Sequence, residues 1–281
     1  MALKNTRFAL GADNKTIAAT LINGASSVTY PSRPALSEDS QYPMSNLRIN
    51  DRSAAWRSAS ALTGTYDVEW DLGADYSLDV FAVHGFRRAI GQASPNTVDI
   101  QYRTAALGYL ATTAWATVRT GLKLQDAAGP THQLADSGLQ LTAPVRGRYV
   151  RFRFGVGGTG GGFVIGNFYV GLLSVDMGCL YSPGAGNRLV RGETRVPLMD
   201  RTPVINRIGD DALALSLPYR VILQDRRDTV RELASEAVPI TYLSPFDECV
   251  QVMPEAEHDA THLFSGGADL FDTDLSLVQL P

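Results

Sequence analysis

Apolar and polar residues alternate along much of the first 170 positions of the chain. The segment YDVEWDLG (66–73) places Tyr66, Val68 and Trp70 on one side of an extended backbone and acidic residues on the other. The segments TVDIQYRT (97–104) and RYVRFRF (148–154) follow the same period of two, which is typical of strands with one buried face. LDVFAVHGF (78–86) is apolar almost throughout and predicts a strand covered on both faces.

Turn residues separate these strands, as in Gly73-Ala74-Asp75 and Ser94-Pro95-Asn96, and a helical period is almost absent from this part. Short strands joined by such turns predict an antiparallel sandwich or barrel. We expect Trp56 and Trp70 to be core residues, and Trp115 to be buried as well.

The pattern changes after about Gly171. Residues 183–206 are rich in turn residues and arginines, which predicts irregular strands and long loops. In DRRDTVRELASEAV (225–238) the apolar residues recur at helical spacing and form one stripe: Val230, Leu233, Ala234 and Ala237. We predict a helix near 228–237, with Asp228 as its N-cap and Pro239 closing it. The division expected from these patterns is 1–172 and 173–281, the second a smaller β-rich (α+β) domain.

Composition narrows the class of protein. The chain has 281 residues, 44% hydrophobic and 19% charged, with a formal net charge of -4, as in an ordinary globular protein. That charge argues against a general nucleic-acid binder, which needs a concentrated positive field. No apolar run is long enough to span a membrane, and the first residues do not resemble a signal peptide. We expect Cys179 and Cys249 to remain free thiols.

A glycine pattern in 155–162 raises the possibility of a nucleotide site. Gly155, Gly157 and Gly160 match G-x-G-x-x-G after a predicted strand, the arrangement that opens a dinucleotide-binding loop. That fingerprint requires a following helix, whereas the glycines here precede a β-branched and aromatic run from Phe163 to Val170. We therefore interpret 155–162 as a connection between two strands, and predict no cofactor.

Other candidate chemistry is weak. His258 and His262 are spaced like zinc ligands, but the glutamate of H-E-x-x-H is absent and no helical period surrounds them. The acidic pairs Asp210-Asp211 and Asp247-Glu248 lie next to turns and are expected to be solvated. Because neither an activated nucleophile nor a metal set is found, we predict no catalytic, cofactor-binding or metal site, and no enzyme activity.

Three segments together resemble the discoidin-like, galactose-binding-type jelly roll. They are YPMSNLRINDRSAAWRS (42–58), VEWDLG (68–73) and RGRYVRFRF (146–154), with Trp56-Arg57-Ser58, Asp71-Leu72-Gly73 and Arg148-Tyr149-Val150-Arg151 as the matching motifs. The resemblance covers roughly residues 17–172 and implies a mainly β fold: an antiparallel jelly-roll β-sandwich followed by the smaller domain with one helix.

A narrower resemblance is to tail-tip and baseplate proteins of tailed bacteriophages. It rests on Asn46-Leu47, Trp56-Arg57-Ser58 and the segment IGNFYVG (165–171), with a lower specificity in the C-terminal third. It implies a structural virion component of a tail tip or baseplate, assembled in the host cytoplasm as a symmetric trimer or hexamer. The implied partners are tube, hub and tape-measure proteins.

A carbohydrate-binding module without catalytic activity, recognising glycans of the host surface, is the alternative. Sugar-binding relatives carry aromatic residues in the loops at one end of the jelly roll, whereas 87–97 and 123–138 contain none. The sequence therefore favours the structural role, in which the arginines of the C-terminal third pair with neighbouring proteins. Those arginines are Arg188, Arg191, Arg195 and Arg201.

Overall fold

The computed structural model of the chain describes residues 5–22, 39–50, 54–58, 64–88, 97–107, 115–124, 136–156, 163–179, 181, 186–190, 193–197, 203–207, 212–245, 248–255, 260–265 and 268–279. Strands dominate this described part, and it contains one α-helix. The chain divides into two compact units: Met1–Asp176 with Ile240–Gln251, and Met177–Pro239 with Val252–Pro281.

In chain order the elements are β1 (Arg7–Ala9), β2 (Thr20–Leu21), β3 (Trp56–Arg57), β4 (Gly64–His84), β5 (Arg87–Arg88), β6 (Thr97–Arg103), β7 (Ala116–Lys123), β8 (Ser137–Val156), β9 (Phe163–Ile165), β10 (Asn167–Gly171), β11 (Val175–Asp176), β12 (Gly186–Val190), β13 (Glu193–Pro197), β14 (Pro203–Arg207), β15 (Ala212–Leu223), α1 (Gln224–Ala234), β16 (Ile240–Leu243), β17 (Cys249–Pro254), β18 (Ala260–Ser265) and β19 (Ala268–Gln279). Short 3-10 helices span Gly11–Asp13, Met44–Arg48 and Ala105–Leu107.

The first unit is an antiparallel β-sandwich, as the sequence predicts. One sheet has the order β10-β4-β8-β6-β7, with β2 beside β4, and the other has the order β3-β9-β5. Apolar side chains from both sheets form one core cluster that includes Val68, Trp70, Phe152, Phe163 and Ile165. Every second residue of β4 and β8 faces the other sheet, and this explains the alternation of apolar and polar residues in both strands.

Both predicted core tryptophans are confirmed, since Trp56 and Trp70 are each 0% exposed. The Trp56 ring meets Phe163 edge-on with ring centroids 5.6 Å apart, and the Trp70 ring meets Phe168 at 6.1 Å. Trp115 is only partly buried, because it lies on the outer face of the large sheet rather than between the sheets.

The second half of β4 is buried on both faces, as its continuous apolar run predicts. Phe81 and Val83 belong to the core between the sheets, whereas Val80 and Ala82 pack in a second cluster with Ala9. Strands β1 and β16 lie over this second cluster and pair antiparallel with each other. A segment far along the chain therefore completes the sandwich, although sequence patterns divide the chain at residue 172. That division into domains stays a prediction.

The resembling motifs have clear structural roles in this unit. Leu47 is a core residue, and the Asn46 side chain donates a 2.9 Å hydrogen bond to the Ala55 carbonyl just before β3. Ser58 accepts a 2.9 Å hydrogen bond from the Phe163 amide and so joins the chain after β3 to β9.

A hydrogen-bonded ion pair connects two of these motifs: Asp71 of Asp-Leu-Gly and Arg148 of Arg-Tyr-Val-Arg. Arg148 donates two hydrogen bonds to the Asp71 carboxylate, at 2.7 and 2.9 Å. Asp71 also accepts a 2.8 Å bond from the amide of Gly73, whose φ of 86° requires a glycine. The motif therefore connects β4 and β8 where the register of their pairing shifts.

The second unit is built on the antiparallel pair β15 and β19. Strands β12 and β18 add to its two sides, residues 252–254 of β17 pair with β19, and β13 pairs with β14 in a small separate sheet. The predicted turn-rich segment 183–206 thus contains regular strands within its described residues.

Helix α1 is present as predicted, but its bounds differ. It begins directly after β15 at Gln224, so Asp228 lies inside the helix and pairs with Arg227 at 2.5 Å, and Leu223 holds the N-cap position. Only Val230 and Leu233 of the predicted stripe are buried. The helix ends at Ala234, well before Pro239, and its C-cap Ser235 donates both its amide and its hydroxyl to the Arg231 carbonyl of the last turn.

Strands flank the glycine segment, which confirms that it connects two strands rather than opening a helix. Gly155 lies in β8, and β9 begins at Phe163. Residues 157–162 lie outside the described residues.

Candidate functional site

The residues with candidate chemistry in the sequence do not converge on one site in the described chain. His262 lies on β18, half exposed, with its Nε2 atom 3.1 Å from Asp269. His258, Asp210, Asp211 and Asp247 lie outside the described residues, as do the side chains of Arg188, Arg191, Arg195 and Arg201. Among the residues whose positions are described, no group of three His, Cys, Asp or Glu side chains could hold a metal ion.

Charged side chains cover the outer face of the large sheet in three rows across β4, β8 and β6. We call this set the polar ladder, and its rows are Asp67·Arg153·Asp99, Glu69·Arg151·Gln101 and Asp71·Tyr149·Arg103. The rows follow from the antiparallel register, because directly opposite residues point to the same face of a sheet.

Arg153 and Arg151 of the polar ladder donate to other members of the ladder. Arg153 makes two hydrogen bonds to Asp67, at 2.8 and 2.9 Å. Arg151 bonds Gln101 and lies 3.5 Å from both Asp67 and Glu69. The Trp115 ring covers Arg151 at 4.3 Å and Arg103 at 5.6 Å, and it shields the inner rows, where Glu69 is 0% exposed. Charges so fully paired stabilise the sheet rather than bind a ligand.

A second constellation has the residue types of a catalytic triad. His84 Nε2 lies 3.1 Å from the Thr241 hydroxyl, and His84 Nδ1 lies 3.5 Å from Asp136. Sequence reasoning missed it because Thr241 is 157 residues from His84, and no local pattern links them.

Because its three side chains are buried, this constellation has a structural role rather than a catalytic one. Thr241 is 1% exposed, His84 0% and Asp136 2%, so a substrate has no access to the hydroxyl. The Asp136 carboxylate instead accepts bonds from two backbone amides, Gly85 at 2.8 Å and Gln251 at 2.6 Å. It thereby fastens the end of β4 to β17 within the first unit.

Both cysteines are free thiols, as predicted. Burial raises the pKa of the Cys249 thiol well above its ordinary value, and the nearby Asp136 carboxylate raises this pKa further. Cys249 therefore remains protonated and is a poor nucleophile.

The third constellation lies at the edge of the small sheet and is exposed. Asp39 and Tyr42 form a turn in which the Tyr42 amide donates to the Asp39 carbonyl at 2.9 Å. Two backbone hydrogen bonds attach this turn to β3, from Asp39 to the Arg57 carbonyl at 3.1 Å and from Arg57 to the Tyr42 carbonyl at 3.2 Å. Because Trp56 faces the core, Arg57 faces outward beside the turn.

Asp39, Tyr42 and Arg57 together form what we call the Arg57 cluster. The Arg57 guanidinium lies over the Tyr42 ring, 4.3 Å from its centroid. Its Nη1 atom lies 3.6 Å from Asp39 Oδ2, which is too long for a hydrogen bond. The side chains of Arg57 and Asp39 are 46% and 31% exposed.

The Arg57 cluster differs from the polar ladder in how its arginine is used. Arg151 and Arg153 of the ladder donate hydrogen bonds to amide and carboxylate oxygens of neighbouring side chains, whereas Arg57 makes no side-chain hydrogen bond to any residue the structure describes. Stacking on Tyr42 fixes the guanidinium in place and leaves its donors facing water. It is therefore the best candidate binding site in the described chain.

Two further residues continue the Arg57 row across the small sheet. Val164 of β9 is directly opposite Arg57, and Arg87 of β5 is directly opposite Val164. Val164 is partly buried and Arg87 is exposed. The sequence marks Arg57 as part of a fold motif, but its stacking partner became visible only with the turn at Asp39–Tyr42.

Comparisons with known proteins find similarity only among solved structures. No protein-family model matches the chain, and no curated protein matches it. Similar solved structures include a mutant of chitosan-binding module 1 from a chitosanase/glucanase of Paenibacillus sp. IK-5, at 18% identity and a TM-score of 0.38, covering 57% of this chain and 98% of that one.

Two others are carbohydrate-related as well. The family 32 carbohydrate-binding module of NanJ from C. perfringens, in complex with galactose, has 15% identity and a TM-score of 0.35, covering 48% of this chain and 88% of that one. A mutant GH29 fucosidase of Ruminococcus gnavus, in complex with fucose, has 16% identity and a TM-score of 0.39, covering 59% of this chain and 28% of that one. At these TM-scores the function of this chain has to be argued from its own side chains.

Within the ranges that the structure describes, no helix has the length and apolarity needed to cross a bilayer.

Proposed function

We propose that this chain is a carbohydrate-binding protein without catalytic activity, and that the Arg57 cluster contacts the glycan. The observation that carries the proposal is an exposed guanidinium held on a tyrosine ring, without a hydrogen bond to any described residue and next to a carboxylate with acceptor capacity. One Asp39 oxygen accepts the Gln41 amide at 3.0 Å, while the other lies beside Arg57 without a hydrogen bond.

This pairing suits the chemistry of a sugar. Neighbouring hydroxyls of a pyranose each donate and accept, so one can accept from Arg57 while the next donates to Asp39. The row from Arg57 to Val164 offers the partly exposed apolar side chain of Val164 to the C–H face of a ring. The cluster is held by backbone hydrogen bonds to β3, so little conformational entropy is lost on binding.

Binding to soluble oligosaccharides, measured by isothermal titration calorimetry, tests the proposal. The probes are galacto-, gluco- and chito-oligosaccharides and oligomers of uronic acids. A hydrogen bond from a charged donor contributes about 1.5–3 kcal/mol, so Arg57→Ala should weaken binding about 10-fold or more. Tyr42→Ala should weaken it by releasing the guanidinium, whereas Tyr42→Phe, which keeps the ring, should not.

Arg119→Ala is the matched control, because Arg119 is an exposed arginine on β7, on the other sheet of the sandwich. Failure of every probe to bind the wild-type chain would overturn the proposed function. Equal losses in Arg57→Ala and Arg119→Ala would place the site elsewhere.

A second candidate function is a structural component of a phage tail tip or baseplate, present in the virion as a symmetric homo-oligomer. The observation that favours it is that the sandwich is not one continuous stretch of sequence. All four residues of β16 are buried, and three of them, Thr241 to Leu243, pair with β1. Because Ile240–Gln251 belongs to the same compact unit as Met1–Asp176, the sandwich is built into the rest of the chain, as suits a structural component.

The tail-tip function is tested by electron microscopy of intact particles together with the oligomeric state of the purified chain. A trimer or hexamer that binds tube, hub or tape-measure proteins would support it. A monomer absent from particles would contradict it and leave glycan binding untouched.

A further inference from the structure

We infer that the first unit has a second sugar site, formed by Asp13, Lys15 and Tyr76, which binds a neutral pyranose against the Tyr76 ring. We call these three residues the Tyr76 cluster. The inference goes beyond the proposed function, which assigns a glycan contact at Arg57, and it rests on that function for the class of ligand. It is carried by an exposed aromatic ring, an ammonium group near that ring and a carboxylate next to the ammonium.

Tyr76 presents an aromatic ring to solvent. It is 37% exposed, and no other Phe, Tyr or Trp side chain that the structure describes is as exposed. Directly opposite residues of paired strands point to the same face, and the residue opposite Tyr76 is Gly147, which adds no side chain beside the ring. The apolar C–H face of a sugar can cover such a ring, and the apolar area removed from water favours binding.

The Lys15 ammonium lies near this ring with donors available to a ligand. Its Nζ atom is 5.5 Å from the centroid of the Tyr76 ring and 4.0 Å from Asp13 Oδ1, which is too long for a hydrogen bond. An ammonium group has three donors, and the Lys15 side chain makes no hydrogen bond to any residue that the structure describes. A hydroxyl of a sugar that covers Tyr76 can therefore accept from Lys15.

Asp13 supplies the matching acceptor. Its Oδ2 atom accepts a 2.7 Å hydrogen bond from the Ser174 hydroxyl, while its Oδ1 atom lies beside Lys15 and accepts none from the described residues. Neighbouring hydroxyls of a pyranose each donate and accept. One hydroxyl can therefore donate to Asp13 while the next accepts from Lys15.

Hydrogen bonds to β10 fix the segment that holds Asp13 and Lys15. The Lys15 amide donates to the Val170 carbonyl at 2.8 Å. Between the two residues, the buried Asn14 side chain donates to the Phe168 carbonyl at 2.8 Å and accepts from the Val170 amide at 3.2 Å. Because the segment is held in this way, little conformational entropy is lost when a ligand binds.

The charges of the Tyr76 cluster favour a neutral ligand. Lys15 and Asp13 have opposite charges only 4.0 Å apart, so the pair has no net charge with which to select an acid or an amine. An acidic sugar near Lys15 would be repelled by Asp13, and a cationic amino sugar near Asp13 would be repelled by Lys15. We therefore expect neutral sugars to bind here more tightly than their charged counterparts.

Fluorine NMR of the chain labelled with fluorotyrosine follows the two sites separately. The Tyr76 and Tyr42 signals are assigned by their absence from Tyr76→Phe and Tyr42→Phe. The probes are acetylated against deacetylated chitotriose, and methyl-esterified trigalacturonate against trigalacturonate. At least one neutral probe should shift the Tyr76 signal at about 10-fold lower concentration than its charged counterpart, and this shift should persist in Arg57→Ala.

Variants assign the binding to these side chains, with calorimetry in the Arg57→Ala background as the measurement. Tyr76→Ala should weaken binding of the neutral probe about 10-fold by removing the ring, and Lys15→Met should weaken it several-fold by removing the donor. The matched controls are Leu107→Ala, at an exposed apolar side chain, and Lys123→Met, at an exposed lysine of β7. Both controls should bind as their background does, and unaltered melting temperatures establish that each variant is folded.

The outcomes separate the second site from the proposed function. A Tyr76 signal that no sugar shifts, while the Tyr42 signal responds, would overturn the second site and leave glycan binding at Arg57 intact. A Tyr76 shift that disappears in Arg57→Ala, or a preference for the charged probes, would also overturn the inference. If only the Tyr76 signal responds, the second site is supported and the assignment to Arg57 is wrong. If neither signal responds to any sugar, both proposals are wrong.

Discussion

Replacing Asp136 with alanine should destabilise the first unit strongly. The carboxylate is 2% exposed and accepts hydrogen bonds from the amides of Gly85 at 2.8 Å and Gln251 at 2.6 Å. Alanine would leave both buried donors without a partner, and an orphaned buried donor costs about 1–3 kcal/mol. The expected loss in the free energy of unfolding is therefore about 2–6 kcal/mol, a large part of the stability of an ordinary domain.

Asp99→Ala is the matched control for this change. Asp99 also accepts a hydrogen bond from a glycine amide, that of Gly121 at 2.7 Å, but this contact is exposed. Water can replace the lost acceptor there, so the cost should stay within about 0.5 kcal/mol. Asp136→Asn, which keeps one carbonyl oxygen as an acceptor, should fall between the two.

Equilibrium urea unfolding followed by tryptophan fluorescence measures these differences, since Trp56 and Trp70 are buried in the same unit. The midpoint should move clearly to lower urea for Asp136→Ala at a similar slope. A loss below about 1 kcal/mol, or equal losses for Asp136→Ala and Asp99→Ala, would refute the reasoning. The first result would mean that water reaches the amides of Gly85 and Gln251, and the second that burial of the acceptor does not set the cost.

Three other predictions concern the core and the thiols. Trp70→Ala should cost about 3–5 kcal/mol, because Trp70 is 0% exposed between the two sheets; a soluble variant that melts normally would contradict this. Cys249 should react with a thiol reagent far more slowly than the partly exposed Cys179 in the native protein, because its pKa is raised by burial. Because this pKa is raised in the folded state, the protonated Cys249 thiol contributes stability below its unfolded pKa of about 8.5, and this contribution is lost as the pH rises further. The free energy of unfolding should therefore decline at alkaline pH, and Cys249→Ala should weaken that decline in urea titrations. Equal reactivity of the two thiols, or an identical alkaline decline in the variant, would contradict the burial argument.

Much of the sandwich could be predicted because strand faces are encoded locally. The alternation around Val68 and Phe152 identifies which side of each strand is buried, and the unbroken apolar run of β4 identifies its two covered faces. The helix was predicted from its stripe, but its start was misplaced. The strand β15 runs directly into it, and Leu223 replaces the polar cap that the pattern suggested.

The candidate site could not be predicted in the same way. The sequence marks Arg57 by its place after a core tryptophan, but it does not show that a turn fifteen residues earlier brings Tyr42 under its guanidinium. It also contains no signal that Arg57 and Arg87 share a row, since that depends on β9 pairing with both β3 and β5. The prediction about a sugar site was based on aromatic residues in the loops 87–97 and 123–138. It therefore did not include the edge of the small sheet, where Tyr42 and Arg57 lie.

The sequence by itself determined a mainly β chain with an antiparallel sandwich, its tryptophan core and one amphipathic helix. These follow from periods of two and 3.6 residues, which depend only on neighbours within a few positions. Only the tertiary structure decided that residues 240–251 complete the sandwich, that His84, Asp136 and Thr241 meet in its interior, and that Arg57 is stacked on Tyr42. Contacts between residues so distant in sequence depend on strand order and register, which are set by the packing of the whole chain rather than by any local pattern.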